Sequence, residues 1–397
     1  MECYLDNAAT TKVSENVYNC MSSVLLADFG NPSSMHRKGV DAENYIKDTR
    51  KELSRILKCE GDEIYFTSGG TEGNNLALIG TVLANKRAGK HIIVSSMEHA
   101  SVYNPAIFLE EQGYELSFCP VDRMGHIDIE ALKNLIRDDT VLVSCMYVNN
   151  EVGSVNPVSE IGKAVKEKNK NTIFHVDAIQ AFGKFRIIPK NEGIDILTVS
   201  GHKIHGPKGS GFIYIKKGIK VKPIINGGGQ EKGMRSGTEN VPAIAGLGVA
   251  AHDMYENLSE NREKLFSLKE RLVKGLITLP ETHVHALCIP ENPDDDVLHE
   301  AILKTAPHIV SCGFNGVRSE VLLHSLEDKG IYVSSGSACS SNHPAVSGTL
   351  KAIGTEQKYL DSTIRFSFSV NTKEEEIDYT LSVLNDLLPI LRKYRRK

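Results

Sequence analysis

Four stretches of the 397-residue chain set reactive side chains among glycines and other small residues. The first, TSGGTEGN at 67–74, follows an apolar run and opens a stretch of helical spacing. Gly69, Gly70 and Gly73 let the backbone approach a ligand closely, and the free amides of a helix N-terminus favour an anion such as phosphate. It is neither a Walker A sequence, which ends in Gly-Lys-Ser/Thr, nor GxGxxG. An ordinary glycine turn is the competing reading. The second stretch, FHVDAIQ at 174–180, ends an apolar strand on Asp177, where an unpaired carboxylate is expensive to bury. Asp177 either caps the next turn or holds a cation such as a protonated pyridine nitrogen. The third, VSGHKIHGPKGSG at 199–211, places Lys203 26 residues after Asp177, again at a strand end. Partial desolvation there lowers an amine's pKa and makes it a nucleophile, although most lysines are simply solvated. His202 and His205 have HxxH spacing without a third ligand nearby, so no metal site is expected.

A phosphate cradle, an acid at one strand end and a lysine at a later one are together what pyridoxal phosphate requires. The cofactor needs anchoring for its phosphate, a carboxylate for its ring nitrogen and an amine for a Schiff base. The fourth stretch, VSSGSACSS at 333–341, sets Cys339 among small residues ill suited to a core. Free cysteines are usually buried and inert, but a thiol in such a loop can reach a substrate bound elsewhere. STIRFSFS at 362–369 then puts Arg365 in an otherwise apolar strand, where it wants a carboxylate from the protein or from a ligand.

The elements that must carry these residues follow α/β grammar. Strands are predicted at Ile64–Thr67, His91–Ser95, 141–148, Ile173–Asp177, 194–200 and Gly211–Ile215, mostly as continuous apolar runs. Helical spacing falls between them at 74–85, 130–137 and 159–169. This predicts a mostly parallel sheet with ligand chemistry at the carboxyl ends of its strands. After about Ala250 the pattern changes to an amphipathic stretch at 257–279, then mixed strands and helices. A last helix is marked by a capping box of Thr372 and Glu375 and an apolar face of Ile377, Leu381, Leu384 and Leu388. The expected division is a large domain at 15–250 and a smaller one formed by 1–14 and 251–397.

Composition removes other classes. With 46 Lys plus Arg against 50 Asp plus Glu, the chain lacks the positive sheath of a nucleic-acid binder. Its 8 cysteines include no CxxC pair and no compact disulfide framework. Residues 1–11 lack the basic and apolar regions of a secretory signal, and no apolar run is long enough to span a membrane. A cytoplasmic protein is expected.

Taken in order, these motifs resemble the cysteine desulfurases of the NifS/IscS type, fold-type-I pyridoxal phosphate enzymes of the class V aminotransferase family. The resemblance runs through YLDNAATT (4–11), GNPSSMH (30–36), TSGGTE, MEHAS (97–101), VNNEVG (148–153), HVDAIQ, SGHKIHGPKG, GGGQEKGMRSGTEN (227–240), SSGSACS and IRFSFS. It implies an α/β fold with a mostly parallel seven-stranded sheet and a smaller α+β domain. It implies Lys203 as the Schiff-base lysine, Asp177 on the pyridine nitrogen, and His99 stacked on the ring and assisting proton transfer. Asn150 and Gln180 would approach the phenolic oxygen, while Gly70, Thr71, Ser200 and His202 would hold the phosphate. Thr238 would reach that phosphate from the second subunit of a homodimer. Arg365 would grip the carboxylate of L-cysteine, and Cys339 would take its sulfur for a scaffold or thiolation protein. Gly70 departs from the family's usual alanine, Ser340 from its usual threonine, and 342–349 from its usual loop text. A selenocysteine lyase or another class V aminotransferase uses the same machinery, though transamination has no use for a loop cysteine. A non-catalytic scaffold of this fold would have lost residues that are all present here.

Overall fold

The structure, a computed structural model, describes residues 1–290, 293–335 and 346–393. Its strands are β1 (Cys3–Tyr4), β2 (Ile64–Thr67), β3 (His91–Ser95), β4 (Glu115–Cys119), β5 (Thr140–Met146), β6 (Ile173–Asp177), β7 (Ile196–Ser200) and β8 (Gly211–Ile215), followed by β9 (Thr282–Val284), β10 (Ile309–Phe314), β11 (Ile331–Tyr332), β12 (Ser334–Ser335) and β13 (Thr363–Ser367). The large sheet runs β2-β8-β7-β6-β5-β3-β4, and only β8 is antiparallel to its neighbours. The α/β fold with a mostly parallel seven-stranded sheet is thus the observed one.

Both faces of this sheet are covered, which is why its strands read as unbroken apolar runs. Along β8, Phe212 and Tyr214 enter one core with Leu53, Phe174 and Phe182, while Ile213 and Ile215 enter the other with Leu76, Val94 and Leu142. The edge strand β4 is half exposed, and its weak apolar pattern gives no strand signal. Tyr147 and Val148 lie beyond the end of β5: the Tyr147 N–H makes a last bond to the Asp177 carbonyl at 2.9 Å, where β6 ends, and Val148 bridges to Val155 instead.

A four-stranded antiparallel sheet, β12-β13-β10-β9, packs with later helices around a further core containing Leu272, Phe314, Phe366 and Leu384. Cys3 and Leu5 belong to that core, and β1 pairs in parallel with β11. The final helix, Glu374–Lys393, buries Ile377, Leu384 and Leu388 as its spacing predicts. Its capping box is corrected by one position. The Glu376 carboxylate, not that of Glu375, accepts from the Lys373 N–H at 2.7 Å. Thr372 instead closes the preceding turn by accepting from the Ser369 N–H. Three consecutive glutamates let the pairing slide to where the helix begins.

Candidate active site

The carboxyl ends of β2, β6 and β7 lie on one edge of the large sheet and open onto a cavity of about 460 Å³. Gly69, at φ +144°, makes the turn from β2 into the helix that starts at Gly70, a conformation reserved for glycine. That turn brings Gly70 and Thr71 to the cavity wall beside Ser200 and His202. A Cβ added to Gly70 would stand 2.2 Å from Ile179 Cδ1, so the departure from alanine at 70 is matched by the bulk of Ile179.

Asp177 ends β6 with its carboxylate buried at the cavity. One oxygen accepts from the Ile179 N–H at 2.9 Å, the turn cap weighed from sequence, and the other from the Asn74 amide at 2.8 Å. Burial pushes its pKa up, opposed by these donors, His99 and Lys203, so a cation against it would be well placed. Asn74 spends its second N–H on Ser101 Oγ at 2.9 Å, and Ser101 Oγ lies 2.9 Å from His99 Nδ1. His99 caps the helix Ala100–Glu111 by accepting from the Ser101 N–H at 3.1 Å. Its Nδ1 is therefore an acceptor and Nε2 carries the proton of the neutral ring. Burial lowers the pKa of this imidazole.

Lys203 follows β7 in a short turn, and its ammonium donates to the carbonyls of Ala8 at 2.5 Å and Ala9 at 2.8 Å. The N-terminal segment that supplies them crosses the whole site. Asp6 accepts from Arg365 Nη2 at 2.8 Å, Ala8 N–H donates to Ser367 Oγ at 2.8 Å, and Thr11 N–H donates to the His202 carbonyl at 2.9 Å. Thr10 Oγ1 lies 3.2 Å from His202 Nδ1. His205 is held separately, Nδ1 on the Lys12 carbonyl at 2.8 Å.

Arg365, in β13, also donates through Nη1 to the Asn150 carbonyl at 2.8 Å, while its buried Nε has no partner among the described residues. Asn150, Gln180 and Arg365 all line the cavity. Thr238 does not: it is exposed, in the segment that precedes the helix Val241–Glu256. Cys339 lies outside the described residues.

Several participants had no role assigned from sequence. Asn74 sat inside a quoted motif whose roles went to Gly70 and Thr71, and Asp6 inside one with no role assigned. Glu98, beside His99, is half-buried, with Oε1 accepting from Ser95 Oγ and from the Met146 N–H, and desolvation of its carboxylate pushes its pKa up to about 8. Lys184 is buried with its ammonium on the Lys203 carbonyl at 2.7 Å, and burial lowers its pKa to about 7. Lys184 and His308 lie in stretches with no motif signal at all.

The residues present fit pyridoxal 5′-phosphate. A buried carboxylate awaits a cation, and a glycine turn, hydroxyls, an amine and an arginine line the same cavity.

Known proteins agree. The aminotransferase class-V profile matches residues 3–380. A protein of Methanosarcina thermophila named cysteine desulfurase IscS is 40% identical over 389 residues, 98% of this chain and 92% of that protein. A solved NifS-like protein is 35% identical with a TM-score of 0.89, covering 98% of this chain and all of that one. A structure titled SspA in complex with cysteine is 31% identical with a TM-score of 0.79, over 94% of this chain and 100% of its own.

Proposed function

Since this chain belongs to the class-V aminotransferase family, we infer that it is a cysteine desulfurase dependent on pyridoxal 5′-phosphate. It converts L-cysteine to L-alanine and leaves the sulfur on Cys339 as a persulfide, for transfer to an acceptor protein. The observation that carries this reading is the convergence of Lys203, Asp177, His99 and Arg365 on one cavity.

Lys203 Nζ would hold the cofactor, Asp177 would pair with its ring nitrogen, and Gly70, Thr71, Ser200 and His202 would receive its phosphate. When bound, pyridoxal phosphate supplies a conjugated ring that takes up the electron pair released from the substrate Cα. Arg365 is held at the cavity wall by Asp6 and the Asn150 carbonyl, so its guanidinium is already oriented for the substrate carboxylate. Lys203 Nζ would be the base that takes the substrate Cα proton. His99 presents Nε2–H as a proton donor, and Ser101 Oγ is placed to exchange a proton at Nδ1 when the ring changes tautomer. The Cys339 thiolate then attacks the substrate sulfur: an S–S bond forms, the Cβ–S bond breaks, and protonation completes alanine. Ser334 lines the cavity five residues before Cys339, a stretch of chain that spans at most about 18 Å.

The chain works as a homodimer, with Thr238 of each copy reaching the other's phosphate. The exposed apolar side chains Leu25, Leu26, Phe29 and Met35 support a buried interface. A cytoplasmic setting is supported by the seven described cysteines, all of them free. The test is L-cysteine turnover with a thiol reductant, measuring alanine and sulfide together. Equal amounts from the wild type, and neither from Cys339→Ala, are expected. Alanine or keto acid formed without regard to Cys339 would mean a lyase or an aminotransferase.

A further inference from the structure

Behind the cavity wall, His308 stands immediately before β10 and is buried. Its Nε2 lies 3.1 Å from Gln180 Oε1, and Gln180 Nε2 donates to the Ala8 carbonyl at 3.0 Å. Chemistry forces the proton positions along this chain. The Ala8 carbonyl can only accept, so the amide nitrogen of Gln180 faces it and the amide oxygen faces the imidazole. The ring must therefore carry its proton on Nε2. Its Nδ1, buried with no partner among the described residues, is then a bare lone pair. A second proton there would be a buried N–H without an acceptor, close to the charges of Lys184, Lys203, Lys269 and Arg365. Burial and those charges hold the imidazole pKa well below its ordinary value.

With its oxygen engaged by His308 and one N–H engaged by Ala8, the Gln180 amide cannot flip. Its remaining N–H is the group left for the cavity that Gln180 lines. We propose that His308 is a positioning residue that locks the Gln180 amide, so that one N–H is a permanent donor toward the phenolic oxygen of the bound cofactor. The proposal rests on the reading of this cavity as a pyridoxal phosphate site. Without His308 the Ala8 carbonyl alone holds the amide, which is then less tightly fixed and donates to the phenolic oxygen for less of the time. A lost donor destabilises the deprotonated, anionic form of the bound cofactor, so that form appears only at higher pH.

The experiment is a pH titration of the visible absorption of the pyridoxal phosphate-loaded protein, for the wild type, His308→Leu and His308→Gln. A glutamine side chain in place of the imidazole can set an N–H near the position of Nε2. The expected result is a midpoint raised by about one pH unit in H308L and returned toward the wild type in H308Q. Equal midpoints in wild type and H308L would overturn the proposal. So would equal displacement in both variants, which marks loosened packing. Independently of any variant, nitrogen NMR of the wild-type holoenzyme reads the tautomer: an Nε2–H ring supports the lock and an Nδ1–H ring overturns it. A wild type that takes up no pyridoxal phosphate would overturn the cofactor reading itself, and the proposal with it.

Discussion

Arg365 shows how one side chain is prepared before its ligand arrives. Two of its nitrogens are spent on Asp6 and the Asn150 carbonyl, which fixes the guanidinium plane at the cavity wall. A lysine at this position keeps the charge but loses the fork. Arg365→Lys is expected to raise KM for L-cysteine about tenfold or more while leaving the absorption spectrum of the bound cofactor unchanged, which steady-state kinetics and a spectrum together read. Its need for a carboxylate was legible in the sequence, because an arginine in an apolar strand has few other uses. Which carboxylate was not legible, since Asp6 lies 359 positions away. The same holds for Asn74 and His308. Their roles depend on which neighbour takes which hydrogen, and that is set by packing across the sheet, not by spacing along the chain.

At the scale of elements, the turn from β2 into its helix and the turn after β6 fit as a pair. The space that a methyl would occupy at Gly70 is filled by Ile179. Gly70→Ala is expected to lower pyridoxal phosphate affinity about tenfold, and Ile179→Ala added to it to restore binding; fluorescence titration of the apoprotein measures both. The strands of this region were legible because burial on two faces leaves an unambiguous apolar run. The edge strand β4 and the start of the last helix were not. One lacks a buried face, and the other offers several acidic residues for a single capping position.

For the molecule as a whole, buried histidines set the response to acid. His175 is enclosed in the large sheet between Ser144 Oγ and Thr198 Oγ1, and His285 reaches Thr363 in the smaller one. Burial lowers each pKa to about 3. Between pH 6.5 and about 3 the unfolded chain binds protons at these positions and the folded chain does not. Stability conferred by the neutral rings is therefore full above about pH 6.5 and declines as the pH falls through that window. Urea midpoints are expected to drop from about pH 7 to about pH 5, and replacing His175 with glutamine to flatten the decline; a slope unchanged by that substitution would exclude His175 as a source.

The N-terminal segment also has a consequence for the order of assembly. Residues 6–11 touch Arg365, Ser367, Gln180, Lys203 and His202, so stretches far apart in the chain must meet before the cavity has walls. Contacts of such long sequence separation form late in folding. A nascent chain that has not yet passed Ser367 carries Lys203, Asp177 and the glycine turn, but not the strand that meets Asp6 and Ala8. Cofactor capture at this site is thus tied to the synthesis of β13, and a product truncated before that strand has no competent cavity with which to sequester pyridoxal phosphate.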